Sequence, residues 1–463
     1  MTEQLKLKLN DSKATRWGAL VIVAFTMMAA YYVNDVVAPL KTMLETDLAW
    51  SSTDFGFFTG GYSFLNVFFL MLIWGGLILD RFGIRFTGKL ATILMVGGTA
   101  LEYYAMTGLA GTDATLFGIN EIFGYKTGVF VAFAGYSIFG VGAEVAGITV
   151  SKIIAKWFKG KELATAMGVQ VALARIGSQA GYAVAIPLAR AFGISTPVLL
   201  GLVLLLGGMI AFFVFTVMDK KLDKQMEAAA IAAGTEDEEE KFSFKDVKNI
   251  LVNPGFWLIA LLCVLFYSCV FPFQKFASEL MIIKYGINEN VAGTFAGLPA
   301  LGALILTPVF GGFIDKRGKS ASIMLLGSAM LICVHFIYAI PDINYWLVAI
   351  VLMIILGIAF SLVPSAMWPA VAKIFPVSQL GTAYALIFFI QNIGLWGIPT
   401  LIGWVLDAYC ISGKKPDGTN MYDYTVPMCI FTGIACLSLI VALLLKKADK
   451  KYGYKLEEPN IQK

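Results

Sequence analysis

The sequence has little of what most enzymes need for catalysis. Its 463 residues include one histidine, His335, and six cysteines whose positions match no spacing typical of metal ligands. A nucleophile requires a neighbouring base, and the lone histidine and scattered cysteines do not provide such a pair. We therefore expect no enzyme activity, no metal and no cofactor. Cys410 and Cys429 lie on either side of the last loop before the C-terminal apolar stretch. They either form a disulfide or remain two unrelated thiols.

Charged residues are scarce as well. They make up 14% of the chain, against 58% hydrophobic residues, and the mean hydropathy is +0.77. An ordinary soluble domain has about 25% charged residues, so this composition excludes a soluble globular protein. The net charge of +4 comes from lysines and arginines at the ends of apolar stretches, not from a basic stripe. No nucleic-acid partner is expected.

What the chain has in abundance is long apolar runs. Twelve of them are long enough to cross a hydrocarbon core of about 30 Å as helices, whose backbones hydrogen-bond to themselves. The predicted spans are 17–40, 54–79, 87–109, 128–151, 163–190, 196–218, 254–283, 291–314, 320–340, 345–370, 379–408 and 425–446. The first lacks a small-residue cleavage site, so we expect it to be retained. The chain is predicted to be an all-α integral membrane protein.

Basic residues alternate along the turns, which predicts the orientation. Both chain ends and every second turn are rich in lysine and arginine, and the other turns are poorer. The basic residues are Lys6, Lys8, Lys13, Arg16, Arg81, Arg85, Lys89, Lys156, Lys159, Lys161, Lys316, Arg317, Lys319, Lys446, Lys447, Lys450 and Lys451. The positive-inside rule then places both termini in the cytoplasm.

The segment between the sixth and seventh spans divides the chain in two. It contains an alanine run, the acidic block Glu236 to Glu240 and apolar residues at helical spacing. We predict an N-terminal six-helix bundle over 1–218, a cytoplasmic linker with a surface-lying amphipathic helix over 219–253, and a C-terminal bundle with its tail over 254–463. The linker is either a solvated tether or a regulatory contact.

Two internal matches indicate that the bundles are repeats of one another. A turn after the second span matches a turn after the eighth. A longer ungapped segment around the fourth and fifth spans matches one around the tenth and eleventh. The turns are Gly76, Asp80, Arg81, Gly83 and Arg85 against Gly311, Asp315, Lys316, Arg317, Gly318 and Lys319. The longer match pairs Gly140, Ala155, Lys156, Phe158, Leu163, Thr165, Ala166, Ile176 and Gly177 with Gly357, Ala372, Lys373, Phe375, Leu380, Thr382, Ala383, Ile393 and Gly394.

The repeated turn resembles the signature loop of the major facilitator superfamily. This resemblance covers about Trp17 to Leu445, and its one mild departure is Lys316 where the first copy has Arg81. It implies two pseudo-symmetric six-helix bundles that enclose a site near the bilayer midplane and rock around it. The residues it implies for conformational gating are Asp80, Arg81, Gly83, Asp315 and Arg317.

Two opposite charges inside the spans are the strongest candidates for a binding site. Glu144 and Arg175 lie fifteen to sixteen residues on either side of the Lys159-Gly160 turn, so antiparallel helices carry them to similar depth. Ionisable groups inside a membrane are costly and are candidate sites by default. An arginine pairs with a carboxylate and a glutamate with an ammonium, which suits a zwitterion. Without substrate we expect the two to pair with each other, and a purely structural salt bridge is the alternative.

A narrower resemblance points to the substrate. The run Trp157 to Leu163, with Gly140 to Glu144 before it and Ala174 to Ser178 after it, is similar to the lysosomal dipeptide facilitators of that superfamily and their bacterial relatives. This resemblance implies passive dipeptide transport, with Glu144 holding the amino group and Arg175 the carboxylate. The N-terminal tail has no acidic-dileucine signal, so residence in a bacterial inner (plasma) membrane is expected.

Further residues are weaker candidates for the cavity wall. Gln179 and Tyr182 share the helical face of Arg175, and Asp35 lies near the outer end of the first span. In the second half, Asn392 stands where Arg175 stands in the first, and Trp396 follows it by one helical turn. We predict that these five line the substrate site. The alternative for Asp35 is a snorkelling carboxylate or a helix cap, and the alternative for Asn392 and Trp396 is a packing role.

Lys275 and Glu279 are spaced four apart on the seventh span, which favours a local ion pair.

The function predicted from the sequence is therefore transport of small zwitterionic peptides by alternating access, as a monomeric uniporter. Proton-coupled uptake of organic anions or sugar-like solutes is the main alternative. A receptor that binds peptides without moving them stays open.

Overall fold

The computed structural model describes residues 8–111, 115–158, 161–233 and 244–459, and these are almost entirely helical. The helices are α1 (Lys13–Val36), α2 (Lys41–Asp47), α3 (Ser52–Phe68), α4 (Met71–Thr107), α5 (Thr127–Trp157), α6 (Leu163–Phe192), α7 (Thr196–Ala233), α8 (Phe244–Val252), α9 (Pro254–Tyr285), α10 (Glu289–Ala296), α11 (Leu298–Arg317), α12 (Ser320–Ala339), α13 (Trp346–Ile374), α14 (Val377–Tyr409) and α15 (Thr425–Tyr452). The predicted all-α class is confirmed.

The helices of the described ranges form twelve rods of membrane-spanning length. Among the described residues, nine helical segments are long and apolar enough to cross a membrane, and α3 with the start of α4 forms one more span with a 58° bend. The backbone of α4 leaves the helical region at Gly83 (φ 75°, ψ 174°), so its second part is a separate rod. The polar helix α6 is the twelfth. We call α1–α7 the N-half and α9–α15 the C-half.

The break between α3 and α4 was not foreseen. The sequence predicts one continuous span over 54–79, whereas the helix stops at Phe68 and restarts at Met71. Leu70 between them has φ 53°, a left-handed conformation that is unfavourable for a branched side chain. No glycine or proline marks the break, and hydropathy alone carries no information about backbone direction.

Both halves show the same close helix contact, which explains one of the sequence repeats. A Cβ on Gly140 of α5 would lie 2.0 Å from the carbonyl oxygen of Tyr62 on α3. A Cβ on the matching Gly357 of α13 would lie 3.2 Å from Pro299 on α11. Each glycine therefore lets the equivalent pair of helices approach, as small residues do in membrane proteins.

The region between the halves begins with a continuation of the sixth predicted span. Helix α7 continues past residue 218 to Ala233, and Asp219 on this extension accepts hydrogen bonds from Lys156 (2.7 Å) and Trp157 (2.9 Å) of α5. The predicted amphipathic segment contains α8. The acidic block at 236–240 lies outside the described residues, and the division into three domains stays a prediction.

The two membrane faces differ in their connections. The terminal face carries the start of α1 and the end of α15, and the far face is the opposite one. Two short hairpins lie on the far face: β1 (Glu121–Ile122) with β2 (Tyr125–Lys126), and β3 (Ile411–Lys414) with β4 (Asn420–Tyr422). These hairpins were not predicted, because strands of two to four residues carry too little sequence pattern.

Candidate functional site

A cavity of about 690 Å³ lies between the two halves near the middle of the helices. Its volume is within the range of about 300–1,000 Å³ that is usual for small-molecule sites. Polar and charged side chains come mainly from the N-half, and aromatic side chains come mainly from the C-half. The N-half wall includes Tyr31, Asn34, Tyr62, Glu144 and Arg175, and the C-half wall includes Tyr267, Phe271, Phe360, Trp368 and Phe388.

The cavity opens toward the terminal face. Ser151 and Val171, which line it on that side, are exposed. Its other end is bounded by Asn34, Thr59 and Lys275. Beyond that end, hydrogen bonds and ion pairs join the two halves, so one face of the molecule is open and the other is closed.

Glu144 is held at the cavity wall by a neighbouring tyrosine. Helix α5 carries Glu144 into the cavity, and the Tyr62 hydroxyl of α3 donates a hydrogen bond of 3.0 Å to its Oε1. The other carboxylate oxygen accepts no hydrogen bond from a described residue. This arrangement orients the carboxylate and leaves one side of it for a cation.

Arg175 lies on the same cavity, on α6, and is held by aromatic rings. Its guanidinium lies 5.7 Å from the ring centre of Tyr31 and 4.8 Å from that of Phe360. Within the part of the chain that the structure describes, Arg175 has no ion pair and no side-chain hydrogen bond. The expected pairing of Arg175 with Glu144 is therefore wrong for this conformation, and their placement on one cavity is what the zwitterion hypothesis requires.

The C-half residues predicted for the site lie behind the cavity wall. Asn392 is buried and donates to the backbone carbonyl of Phe388 (2.9 Å), while its neighbour Gln391 reaches the cavity. Trp396 packs edge-on against Phe68 of α3, with ring centres 4.8 Å apart. The one-residue difference follows from the rotation of α14, which the repeat alone does not fix.

Asp35 lies just beyond the cavity and joins the two halves. Its carboxylate is 3.2 Å from the Lys275 ammonium, and it also accepts hydrogen bonds from Ser178 and Asn34. The predicted local pair of Lys275 with Glu279 is wrong, because Lys275 reaches across to α1.

Gln179 and Tyr182 also contribute to the contact between halves and are not among the residues that line the cavity. Gln179 donates to the Thr294 carbonyl on α10 (3.3 Å), and the Tyr182 backbone lies close to Gly293. Both therefore face α10, not the cavity. The prediction that they lie on the same face of α6 as Arg175 agrees with their spacing. That face contacts the cavity at Arg175 and the C-half at Gln179 and Tyr182.

A buried charge network closes the far face. Lys41 of α2 is 2.5 Å from Glu279 of α9 and also pairs with Glu45. Lys415, in the β3–β4 turn, lies 3.4 Å from Glu45 and 3.5 Å from Glu279. Tyr424 donates a hydrogen bond to Glu279. Sequence reasoning missed this network, since its four charges come from three separate segments and only Lys41 and Glu45 show a helical spacing.

The two signature turns lie on the terminal face. In the first, Asp80 pairs with Lys152 at 3.1 Å, Arg81 stacks over Phe82 at 5.5 Å, and Gly83 provides the kink in α4. In the second, Asp315 and Arg317 lie in the last turn of α11, and Asp315 is half-buried. Their predicted gating role is not tested by these contacts.

Charges on the terminal face attach the N-terminal segment to the α5–α6 turn. Arg16 donates to both oxygens of the Glu162 carboxylate, from Nη2 at 2.9 Å and from Nε at 3.1 Å. Lys161 pairs with Asp11 at 2.9 Å. The hydrogen bond from Lys161 lowers the pKa of the Asp11 carboxyl. The hydrogen bond from Arg16 lowers the pKa of the Glu162 carboxyl.

The described residues contain no group of three or more histidine, cysteine or carboxylate side chains that could hold a metal ion. His335 is fully buried between the rings of Phe273 and Phe431. It therefore packs in the protein core. Cys410 and Cys429 are free thiols.

Comparison with known proteins agrees with this architecture. A family model described as Major Facilitator Superfamily matches residues 20–399 and 285–458. The human lysosomal dipeptide transporter MFSD1 is 29% identical over 454 residues, which cover 95% of this chain and 88% of that protein. The chicken (Gallus gallus) protein of the same name is 33% identical over 287 residues, which cover 59% of this chain and 62% of that protein.

Solved structures share the fold at low sequence identity. A mutant of the nucleoside transporter NupG superposes with a TM-score of 0.67 at 12% identity, covering 92% of this chain and 98% of that one. A bacterial homolog of the human lysosomal transporter Spinster, inward-facing and occupied, gives 0.66 at 14% identity, covering 97% and 100%. At such identity the likeness is one of fold alone.

Two related halves of membrane-spanning helices around a central cavity define a membrane transport protein. The chain belongs to the major facilitator superfamily. The predicted family and fold of two pseudo-symmetric six-helix bundles are thereby confirmed.

Proposed function

We propose that this protein carries dipeptides across a membrane by alternating access, as a uniporter. Glu144 binds the peptide ammonium and Arg175 binds the carboxylate. The relatives named as dipeptide transporters support the substrate class, and they are similar over nearly the whole chain.

Arg175 is the observation that carries the proposal. A guanidinium at this depth is costly unless an anion or water compensates it. Among the described residues its N–H groups have ring contacts but no hydrogen-bond acceptor, so they are available for a planar anion. Glu144 lies on the same cavity, so one ligand with both charges satisfies both groups.

The opposite wall suits the side chains of the peptide. Trp368 stacks on Phe388 with ring centres 4.8 Å apart, and Tyr267 stacks on Phe271 at 5.5 Å. These rings offer mainly apolar contact. The peptide ends would then be recognised by the N-half, and varied apolar side chains would be accepted by the C-half.

The open terminal face and closed far face correspond to one end state of a rocking cycle. In the other state the far-face contacts would separate and the terminal face would close, with Asp80, Arg81, Gly83, Asp315 and Arg317 controlling the turns that meet there. One chain builds the entire cavity, which supports a monomer as the working unit.

Basic residues on the terminal face support an orientation with both termini in the cytoplasm. We place the protein in the inner (plasma) membrane of a bacterial cell, in contrast to its lysosomal relatives. The bilayer is then its surrounding partner, and the segment between the halves is a cytoplasmic linker.

Transport in proteoliposomes tests the proposal. Purified protein should be stabilised by dipeptides in a thermal-shift screen that also includes amino acids, tripeptides, sugars and organic acids, because a bound ligand raises stability. Glu144→Gln and Arg175→Ala should each abolish that stabilisation and dipeptide uptake. Glu289→Gln, in an exposed pair on the far face, is the matched control and should transport like the parent.

If either Glu144→Gln or Arg175→Ala takes up dipeptides at the parental rate, the substituted residue does not bind substrate. Stabilisation by anions that lack an ammonium group, with none by dipeptides, would replace the peptide hypothesis with an anion carrier. Binding without flux would indicate a receptor.

A further inference from the structure

The aromatic contact on Arg175 crosses between the two halves of the molecule. Arg175 belongs to α6 of the N-half, and Phe360, whose ring centre is 4.8 Å from the guanidinium carbon, belongs to α13 of the C-half. Tyr31 of α1 approaches the same guanidinium at 5.7 Å. Each distance is within the roughly 6 Å at which a cation is attracted by an aromatic face.

Phe360 is fixed by other rings. It is 2% exposed, and it contacts Phe271 edge-on at 5.3 Å and Tyr267 edge-on at 6.3 Å. Perpendicular contacts of this kind are favourable geometries for aromatic pairs. The phenyl ring therefore has a fixed plane against which a flexible arginine can be held.

The internal repeat shows that this ring is particular to the C-half. Gly140 matches Gly357, so the position equivalent to Phe360 is Ala143, which also lines the cavity. Glu144 is matched by Ser361 and Arg175 by Asn392. The N-half thus has the charges and a small residue where the C-half has a large ring and no charge.

Resting on the proposed function, we propose that Phe360 is a positioning residue for substrate: it holds the Arg175 guanidinium so that its edge faces the peptide carboxylate. Arginine side chains have many rotamers, and fixing them costs entropy each time a ligand binds. A ring that fixes the guanidinium beforehand lowers that cost for the carboxylate end of the peptide only. The ammonium end, bound by Glu144, does not depend on it.

The test compares two ligands that differ only at the carboxyl end. Alanyl-alanine has a free carboxylate, and alanyl-alanine amide does not. Affinities are measured by calorimetry on the purified full-length protein, and the ratio of the two affinities reports the contribution of the carboxylate. The parent should prefer the free acid.

Phe360→Leu should weaken alanyl-alanine binding about three- to tenfold, a loss expected from one cation–π contact, and should change amide binding little. Phe360→Tyr keeps a ring and should restore the parental ratio. Phe388→Leu is the matched control, because Phe388 lies on the same wall but stacks on Trp368 and not on arginine. Because Phe388 also belongs to the wall proposed to contact the peptide side chains, this variant should change the affinities for both ligands alike and leave the ratio unchanged.

A variant with 3,5-difluorophenylalanine at position 360 separates electrostatics from packing. Fluorine withdraws density from the ring face while nearly keeping its shape, so this protein should fold even if Phe360→Leu does not. The preference for the free acid should fall. An unchanged ratio in the fluorinated protein, or an equal loss for both ligands in Phe360→Leu, would overturn the positioning role. If the parent binds neither ligand, the dipeptide function itself has failed, which is a separate outcome.

Discussion

The Lys275 ammonium lies 3.2 Å from the Asp35 carboxylate, and this ion pair joins α9 of the C-half to α1 of the N-half. Lys275 also donates to the backbone carbonyl of Asn34 at 2.6 Å. Both side chains are largely buried, with 11% and 9% of their surfaces exposed. The pair lies where the central cavity ends and the closed far face begins, so in the proposed cycle the opening of that face would separate the two side chains.

Asp35→Asn should shift the protein toward the state that is open at the far face. Removing one partner of a buried pair costs about 3–5 kcal/mol because the other charge is left uncompensated. That cost is largest in the closed state, because Lys275 is largely buried there and becomes more hydrated once the halves part. Spin labels at Phe86 and Phe313, exposed residues of the two halves near the terminal face, should report a shorter distance distribution.

The double variant Asp35→Asn with Lys275→Met is the control for that shift. Without either charge, no uncompensated group remains, and the distribution should return part of the way to the parental one. Equal distributions in the parent and the Asp35→Asn variant would show that the ion pair does not hold the far face closed.

The sequence was sufficient for the fold because hydropathy, charge at the turns and two repeats all give the same result. It was also sufficient to bring Glu144 and Arg175 to one cavity, since a turn with equal spacing on both sides fixes their depth. It could not predict that Arg175 contacts Phe360. That contact depends on how the halves approach, which no spacing within one half encodes.

The same reason explains why five candidate residues lie outside the cavity wall. Asp35, Gln179, Tyr182, Asn392 and Trp396 were chosen by helical face or by repeat register. A helix at the centre of such a fold has one side toward the cavity and an adjacent side toward the opposite half. A rotation of the helix by one residue position decides whether a side chain faces the cavity or the opposite half.

Tyr62→Phe should weaken binding of peptides that have a free amino group. The Tyr62 hydroxyl bonds to Glu144 at 3.0 Å, and a hydrogen bond to a charged group contributes about 1.5–3 kcal/mol. If half of that energy serves to orient the carboxylate, affinity should fall roughly three- to tenfold. Calorimetry with alanyl-alanine and its N-acetyl form measures the effect, and the N-acetyl form should be insensitive.

Tyr104→Phe, which removes the hydroxyl of an exposed tyrosine on α4, is the matched control. It should bind both peptides like the parent. An equal change for both peptides in Tyr62→Phe would show that the hydroxyl supports the helix packing and not the ammonium site.

Glu279→Gln should destabilise the protein strongly. Glu279 and Lys41 are 1% exposed each and 2.5 Å apart, and the substitution leaves the network with one excess positive charge. The expected cost is about 3–5 kcal/mol. Glu289→Gln disrupts the exposed pair with Arg190, for which about 1 kcal/mol or less is expected. The thermal unfolding midpoint, measured in detergent, should be clearly lower for Glu279→Gln and hardly changed for Glu289→Gln. Equal midpoints would contradict a stabilising network.

Acid should release the N-terminal segment from the α5–α6 turn. The pKa values of Asp11 and Glu162 are lowered from 3.8 and 4.5 by their pairing with Lys161 and Arg16. Groups with a lowered pKa contribute stability above their unfolded pKa, and the contribution is lost as the pH falls through the folded value. The protection factor of the amides at residues 9–12, which is the intrinsic exchange rate divided by the observed rate, should therefore be lower below about pH 4 than at neutral pH. Arg16→Gln should show faster exchange already at neutral pH, and a pH-independent protection factor would contradict the role of these pairs.

Gly318→Ala should detach the C-terminal tail from the second signature turn. Gly318 has φ 70° and ψ −136°, and a Cβ there would lie 2.4 Å from the backbone carbon of Glu458. The tail at this point caps α12, because the backbone N–H groups of Lys319 and Ser320 donate to Glu457 and Leu456. Backbone strain alone costs about 1–3 kcal/mol, and losing the cap adds to it.

Gly311→Ala is the matched control in α11, the helix that ends just before Gly318, because a Cβ at Gly311 has no atom within 4 Å and alanine favours a helix. Proteolysis of the tail and the thermal midpoint measure both variants. Gly318→Ala should be cleaved faster and unfold earlier, whereas Gly311→Ala should match or exceed the parent. A tail equally protected in both variants would mean that the turn can shift to admit a Cβ, and that its glycine is not required for docking.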